Sequence, residues 1–116
     1  YTPDRVDYPD YAKKVGEAVA AGKADQGILI CGTGLGMSIA ANKIHGIRAA
    51  VCGDCYSAEK AREHNNANMI SFGAAYMEEE DVLRRVDIFL AEKFSPLEKH
   101  HRRVKEICSL EQQHSL

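Results

Sequence analysis

Apolar positions along the chain recur at two alternating periods. From Asp10 to about Ala21, Tyr11, Val15, Ala18 and Val19 fall on one face at helical spacing. Gly22 follows, where a glycine commonly ends a helix. Residues 27–31 read GILIC, a short run apolar on both faces, which predicts a buried parallel strand. Gly32 to Gly36 is then a loop, and residues 37–44 (MSIAANKI) a helix stopped near Gly46. A second strand is predicted over Ile47 to Val51, and a helix capped by Ser57 runs to about Asn65. The third strand is predicted over Asn68 to Phe72 and ends at Gly73. Residues 78–94 form a longer amphipathic helix, with Val82, Val86, Phe89 and Leu90 as its stripe and acids in its first turn. Ser95-Pro96 predicts an N-cap followed by a first-turn proline, and a final helix runs to about Gln112. Residues 1–9, with two prolines, read as an extended lead-in.

Strands alternate with helices throughout, so the pattern predicts one α/β domain over residues 1–116 with a parallel sheet. GILIC belongs inside such a sheet. As an edge it would leave an apolar, unpaired ladder. The chain also opens YTPDRVDYPDY, without an initiator methionine. Both features lead to the expectation of further strands on the N-terminal side.

Composition narrows the classes. The 116 residues are 45% hydrophobic and 28% charged, enough for one modest core. The net charge of −2 gives no global attraction for nucleic acid or an anionic membrane. No stretch approaches the roughly 18 apolar residues of a membrane span. Four cysteines in a chain of this kind do not form a disulfide framework, so reduced thiols and a cytoplasmic setting are expected.

The stretch ICGTGLG carries the first candidate chemistry. Ligands of open parallel sheets bind beyond the carboxyl ends of the strands, and Cys31 closes a strand at that end. Gly32, Gly34 and Gly36 let backbone approach a ligand closely. The spacing is not a dinucleotide fingerprint, and no GK[ST] of a P-loop is present. A thiolate beside a ring of N–H donors suits proton abstraction next to a carbonyl. Taken alone, though, the commonest fate of such a cysteine is structural burial.

Other candidates stay open on the residues alone. His64 and Asn65 end a helix, where a histidine serves as a simple cap or as an acid or base. Cys52 and Cys55 form a CxxC, but a single pair cannot complete a zinc site. Lys99 and Arg103, four apart in KHHRR, share a helix face as a solvated patch or a phosphate clamp. Tyr8 stands just before the first helix, where it can border a pocket.

The stretches DRVDYPDYA, GILICGTGLGMSIAANKIHGIRAAVC, YSAEKAREHNNAN and HHRRV together resemble the ribose-5-phosphate isomerase B family, the RpiB/LacAB group of sugar-phosphate isomerases. The resemblance runs over nearly the whole chain and is weakest from Ala75 to Lys99. It implies a Rossmann-like three-layer sandwich whose long C-terminal helix makes dimer contacts. It also implies an aldose–ketose isomerase that works through a cis-enediolate, without cofactor or metal. Ribose 5-phosphate and ribulose 5-phosphate, of the non-oxidative pentose phosphate pathway, are the implied substrates, with galactose 6-phosphate or allose 6-phosphate as six-carbon alternatives. Cys31 matches the general base. Gly32, Gly34 and Gly36 match the loop that holds the enediolate oxygen, with Thr33 assisting. His64 matches the residue that opens the furanose ring, Asn65 a hydroxyl contact, and Tyr8 the pocket wall. Lys99 and Arg103 match two phosphate-binding arginine positions. The implied site lies between two copies of the chain, so a homodimer is implied, with a tetramer as its possible extension. The chain departs from the family pattern at Ala75, where an arginine is usual, and at Lys99. The resemblance also implies a strand–helix–strand unit ahead of Tyr1, and the expectation is that this chain lacks it. These departures motivate the contrasting expectation of a non-catalytic sugar-phosphate-binding domain.

Overall fold

A computed structural model describes residues 7–113. Three parallel strands, β1 (Gly27–Cys31), β2 (Ala49–Val51) and β3 (Met69–Gly73), lie in the order β1-β3-β2. Helices α1 (Tyr8–Ala20) and α2 (Leu35–Ala41) pack on one face of the sheet. Helices α3 (Cys55–Glu63) and α4 (Glu79–Ala91) pack on the other, giving three layers. The last helix, α5, runs from Glu98 to Gln113.

The central strand divides the core. All five residues of β3 are buried, and their period of two sends them alternately into the two layers. Met69 joins Ala12, Val19, Leu29, Met37 and Ala41 against α1 and α2. Ile70 and Phe72 join Ala58, Ala61 and Phe89 against α3 and α4. Phe72 and Phe89 are fully buried; such a side chain contributes roughly 1.5–3 kcal/mol of transfer free energy.

GILIC is therefore not the middle of the described sheet. It is an edge, with Leu29 buried and Ile28 and Ile30 exposed by 37% and 53%. The opposite edge is guarded. The Asn42 side chain accepts from the Ala49 N–H at 2.8 Å and donates to the Ala49 carbonyl at 2.9 Å, occupying the groups another strand would use.

Several boundaries move for local reasons. The first helix starts at Tyr8 rather than Asp10, with Pro9 in its first turn, where a missing N–H costs nothing. The lead-in expected over residues 1–9 lies outside the described residues as far as Val6. Helix α1 closes on Gly22 at φ +78°, with the Lys23 N–H reaching the Ala18 carbonyl and the Gly22 N–H the Val19 carbonyl. Helix α3 starts at Cys55, and its N-cap is Asp54, not Ser57. Ser57 is the reciprocal partner: its N–H donates to Asp54 Oδ1 at 2.7 Å while its hydroxyl accepts from the Asp54 N–H. Helix α5 starts beyond Ser95-Pro96, and the Ser95 hydroxyl accepts from the Leu97 N–H ahead of it.

Candidate functional site

Cys31 ends β1 at the carboxyl edge of the sheet, and the loop after it is held by its own backbone. The Gly34 N–H donates to Cys31 Sγ at 3.1 Å and fixes the thiol beside the loop. The Thr33 hydroxyl accepts from the Leu35 N–H at 3.2 Å. Gly34 has φ +79°, and a Cβ there would stand 2.7 Å from the Phe72 carbonyl carbon. The converse holds across the contact: a Cβ on Gly73 would stand 2.7 Å from the Thr33 oxygen. Loop and strand end therefore touch backbone to backbone, which only glycine allows. Ser71, buried in β3, locks the contact with a hydroxyl bond to the Gly34 carbonyl at 2.6 Å.

Tyr8 comes to this loop from α1. Its ring lies against Gly36, where a Cβ would meet the tyrosine Cζ at 2.6 Å. A cavity of about 330 Å³ beside Cys31 is lined by Tyr8, Tyr11, Ile30 and Met37. The first turn of α2 leaves the Gly36 and Met37 N–H groups without intrahelical acceptors at this end of the sheet. Thiol, glycine loop, Thr33 and Tyr8 thus form one cluster.

His64, Asn65, Lys99 and Arg103 form another. Helix α3 runs back from the carboxyl end of β2, so His64 at its C-terminus arrives at the amino end of β3. Five strand residues separate the two ends by roughly 16 Å. Of the two readings of His64, cap or acid–base group, the helix end holds it as the C-cap of α3, with its N–H on the Lys60 carbonyl at 2.9 Å.

In the second cluster, His64 Nε2 lies 3.2 Å from Glu63 Oε1, which also takes Lys60 Nζ at 3.2 Å. The Lys60 hydrogen bond holds the Glu63 carboxyl below the usual carboxylate range. His100 of α5 stacks on His64. Lys99 and Arg103 are exposed, face His100 electrostatically, and have no carboxylate partner among the described residues. The neighbouring Arg102 is paired with Glu98 and Glu106. Asn65 lines a second cavity, of about 410 Å³, with Arg48, Ile107 and Cys108.

Cys52 and Cys55 are free thiols in the described residues. Burial pushes the Cys52 thiol up to about 11. Ligand atoms of Glu59, Glu63 and Glu92 lie within 4.8 Å of one another, and the Lys60 ammonium, 3.4 Å from Glu59 and 3.2 Å from Glu63, offsets part of their charge. No helix among the described residues is long and apolar enough to cross a membrane.

Sequence reasoning missed Ser71 and His100. A lone polar residue inside NMISFG signals the first. The second was visible only as part of a basic patch.

The family model described as Ribose/Galactose Isomerase matches residues 1–107. The chain is 46% identical to ribose-5-phosphate isomerase B of Escherichia coli, over 97% of this chain and 74% of that protein. It is 57% identical to the D-erythrulose-4-phosphate isomerase of Pectobacterium atrosepticum, over 58% of this chain and 44% of that protein. The type B ribose 5-phosphate isomerase structure from Trypanosoma cruzi superposes with a TM-score of 0.95 at 44% identity, covering 97% of this chain and 75% of that one. The thiol-bearing glycine loop thus sits on a fold shared with these isomerases, and the chain belongs to the ribose/galactose isomerase family, a family of aldose–ketose isomerases.

Proposed function

We propose that the protein interconverts ribose 5-phosphate and ribulose 5-phosphate through a cis-enediolate, with Cys31 as the base. The observation that carries this reading is the seat of Cys31: a thiol at the carboxyl end of a parallel strand, held by the Gly34 N–H, beside a cavity and a glycine loop. In the open-chain aldose, the Cys31 thiolate takes the C2 proton. The electron pair forms the C1–C2 double bond, and charge gathers on O1. Backbone N–H groups of the loop hold that oxygen, and Thr33 assists. Returning the proton at C1, as the proton on O2 passes to O1, gives the ketose. Proton and electron pair stay within substrate and thiol, so the step calls for neither cofactor nor metal.

Ring opening and phosphate binding fall to His64, Asn65, Lys99 and Arg103. These groups lie at the opposite end of the sheet from Cys31, too far for one sugar phosphate to bridge within a chain. The reading therefore needs two copies, the thiol cluster of one facing the histidine cluster of the other. Exposed apolar residues on α2 and α5 (Leu35, Ile39, Ile107 and Leu110) support such an assembly.

The test is turnover of ribose 5-phosphate by Cys31→Ala, with folding checked by circular dichroism. Loss of about a thousandfold or more in kcat is expected for removal of the base. Near-normal turnover would reject the thiol. Substrate length is a separate question, because a relative carries a four-carbon name. Comparing kcat/KM on four-, five- and six-carbon aldose phosphates ranks them, and the reading places the five-carbon substrate first.

A further inference from the structure

We propose that Arg48 and Arg62 are positioning residues that hold Asn66 in a left-handed conformation and, through that turn, aim the His64 imidazole. This deepens the isomerase reading and rests on it. Asn66, at φ 47°, is the one non-glycine residue with positive φ among the described residues. Such a backbone persists where its surroundings enforce it.

Two guanidinium groups do so here. Arg62 Nη1 donates to Asn66 Oδ1 at 3.0 Å and to the Ala67 carbonyl at 2.7 Å. Arg48 Nε donates to the Asn66 carbonyl at 2.9 Å. The side-chain oxygen, the carbonyl of the same residue and the next carbonyl are thus each held by an arginine. The Arg48 backbone N–H adds a bond to Asn68 Oδ1 at 2.8 Å, fixing the far side of the turn.

The arrangement is unfavourable for the arginines themselves. Arg62 packs against the Phe89 ring, and its Nε is buried without a partner. Burial first, and the Arg48 charge second, work against its cationic form. Two like charges therefore converge on one peptide at a helix end, where the turn's geometry is what they secure. His64 and Asn65 are the two residues leading into that turn. Helix α3 is closed there by the Asn66 N–H on the Arg62 carbonyl and the Ala67 N–H on the Ala61 carbonyl. The turn sets the direction of residue 64, while Glu63 and His100 hold the ring itself.

The test uses Arg62→Lys and Arg48→Lys in the full chain, which keep the charge and lose the forked geometry. Two reactions are followed with the melting temperature: isomerisation of ribose 5-phosphate, which needs His64 for ring opening, and deuterium exchange from D2O into C1 of acyclic ribulose 5-phosphate, which needs Cys31. Isomerisation should fall by about tenfold to a hundredfold, with exchange falling much less. Adding Asn66→Gly to Arg62→Lys should recover most of the loss, since glycine takes the left-handed conformation unaided. If an arginine variant does not fold, Asn66→Ala carries the same prediction, because it penalises the turn with both arginines intact. Unchanged isomerisation, parallel loss of both reactions in step with melting temperature, or no recovery with glycine overturns the inference. A wild-type chain that performs neither reaction overturns the isomerase reading, and this inference with it.

Discussion

His100 lies flat against His64, with ring centroids 4.2 Å apart and planes inclined by 24°. His100 is 7% exposed, and its Nδ1 is buried without a hydrogen-bond partner. Burial first, then the charges of His64, Lys99 and Arg103, hold it below the ordinary histidine value of 6.5, while Glu63 acts the other way. Glu63 is itself engaged by Lys60, so the facing groups from both α3 and α5 sum to a preference for neutral His100.

A pH dependence follows. The folded pKa lies below the unfolded one, so the unfolded chain binds more protons in the window just under pH 6.5. Stability is fully present above that pH and declines as pH falls through the window. His100→Phe keeps a ring on His64 and removes the titration. Urea midpoints at about pH 7.5 and about pH 5.5 should show a smaller acid loss for His100→Phe than for wild type. An equal loss in both would remove His100 as its source.

The glycines of the loop should separate sharply. Ala at Gly34 meets both a positive φ and fixed backbone at 2.7 Å. Destabilisation of about 2 kcal/mol or more is expected, with loss of turnover. At Gly32 a Cβ meets nothing within 4 Å, so Gly32→Ala should stay within about 0.5 kcal/mol of wild type. Chemical denaturation of the two variants measures the difference, and equal stabilities would contradict the loop geometry.

Thiol labelling offers another check. Cys52 is 1% exposed and its thiol is raised to about 11, whereas Cys31 is only partly buried beside a cavity. Brief treatment with iodoacetamide near neutral pH should leave Cys52 unmodified in the folded protein, with Cys31 labelled and protected by ribose 5-phosphate. Peptide mass spectrometry reads this directly. Rapid labelling of Cys52 in folded protein would contradict its burial.

Much of this was legible in the chain. The alternation of periods located all five α-helices and all three strands among the described residues, because each element buries one stripe or one short run; the single 3-10 turn at Ala74–Tyr76, too short to show a period, it did not. Boundaries slipped where capping decides them. Asp54 and Ser57 share one capping box, and either alone looks like the cap. The role of GILIC slipped for another reason: apolar residues on both faces describe a strand's preference, while its position depends on which partners are present. Cys31 and its glycines could be read from ICGTGLG because strand end and loop are local. The distance between Cys31 and His64 could not, since it depends on the direction in which α3 returns. The Arg48–Asn66–Arg62 cluster was equally hidden, because residues 48 and 62 meet only through the fold.

The central claim, a site assembled from two copies, is tested most directly by complementation. Cys31→Ala and His64→Asn should each be inactive as pure assemblies. Unfolded together, mixed equally and refolded, half of the resulting dimers are hybrids, each with one intact site that takes Cys31 from one chain and His64 from the other. Turnover of ribose 5-phosphate should return to about a quarter of the wild-type rate. A mixture as inactive as its two parents, with hybrid dimers verified by native mass spectrometry, would contradict the shared site.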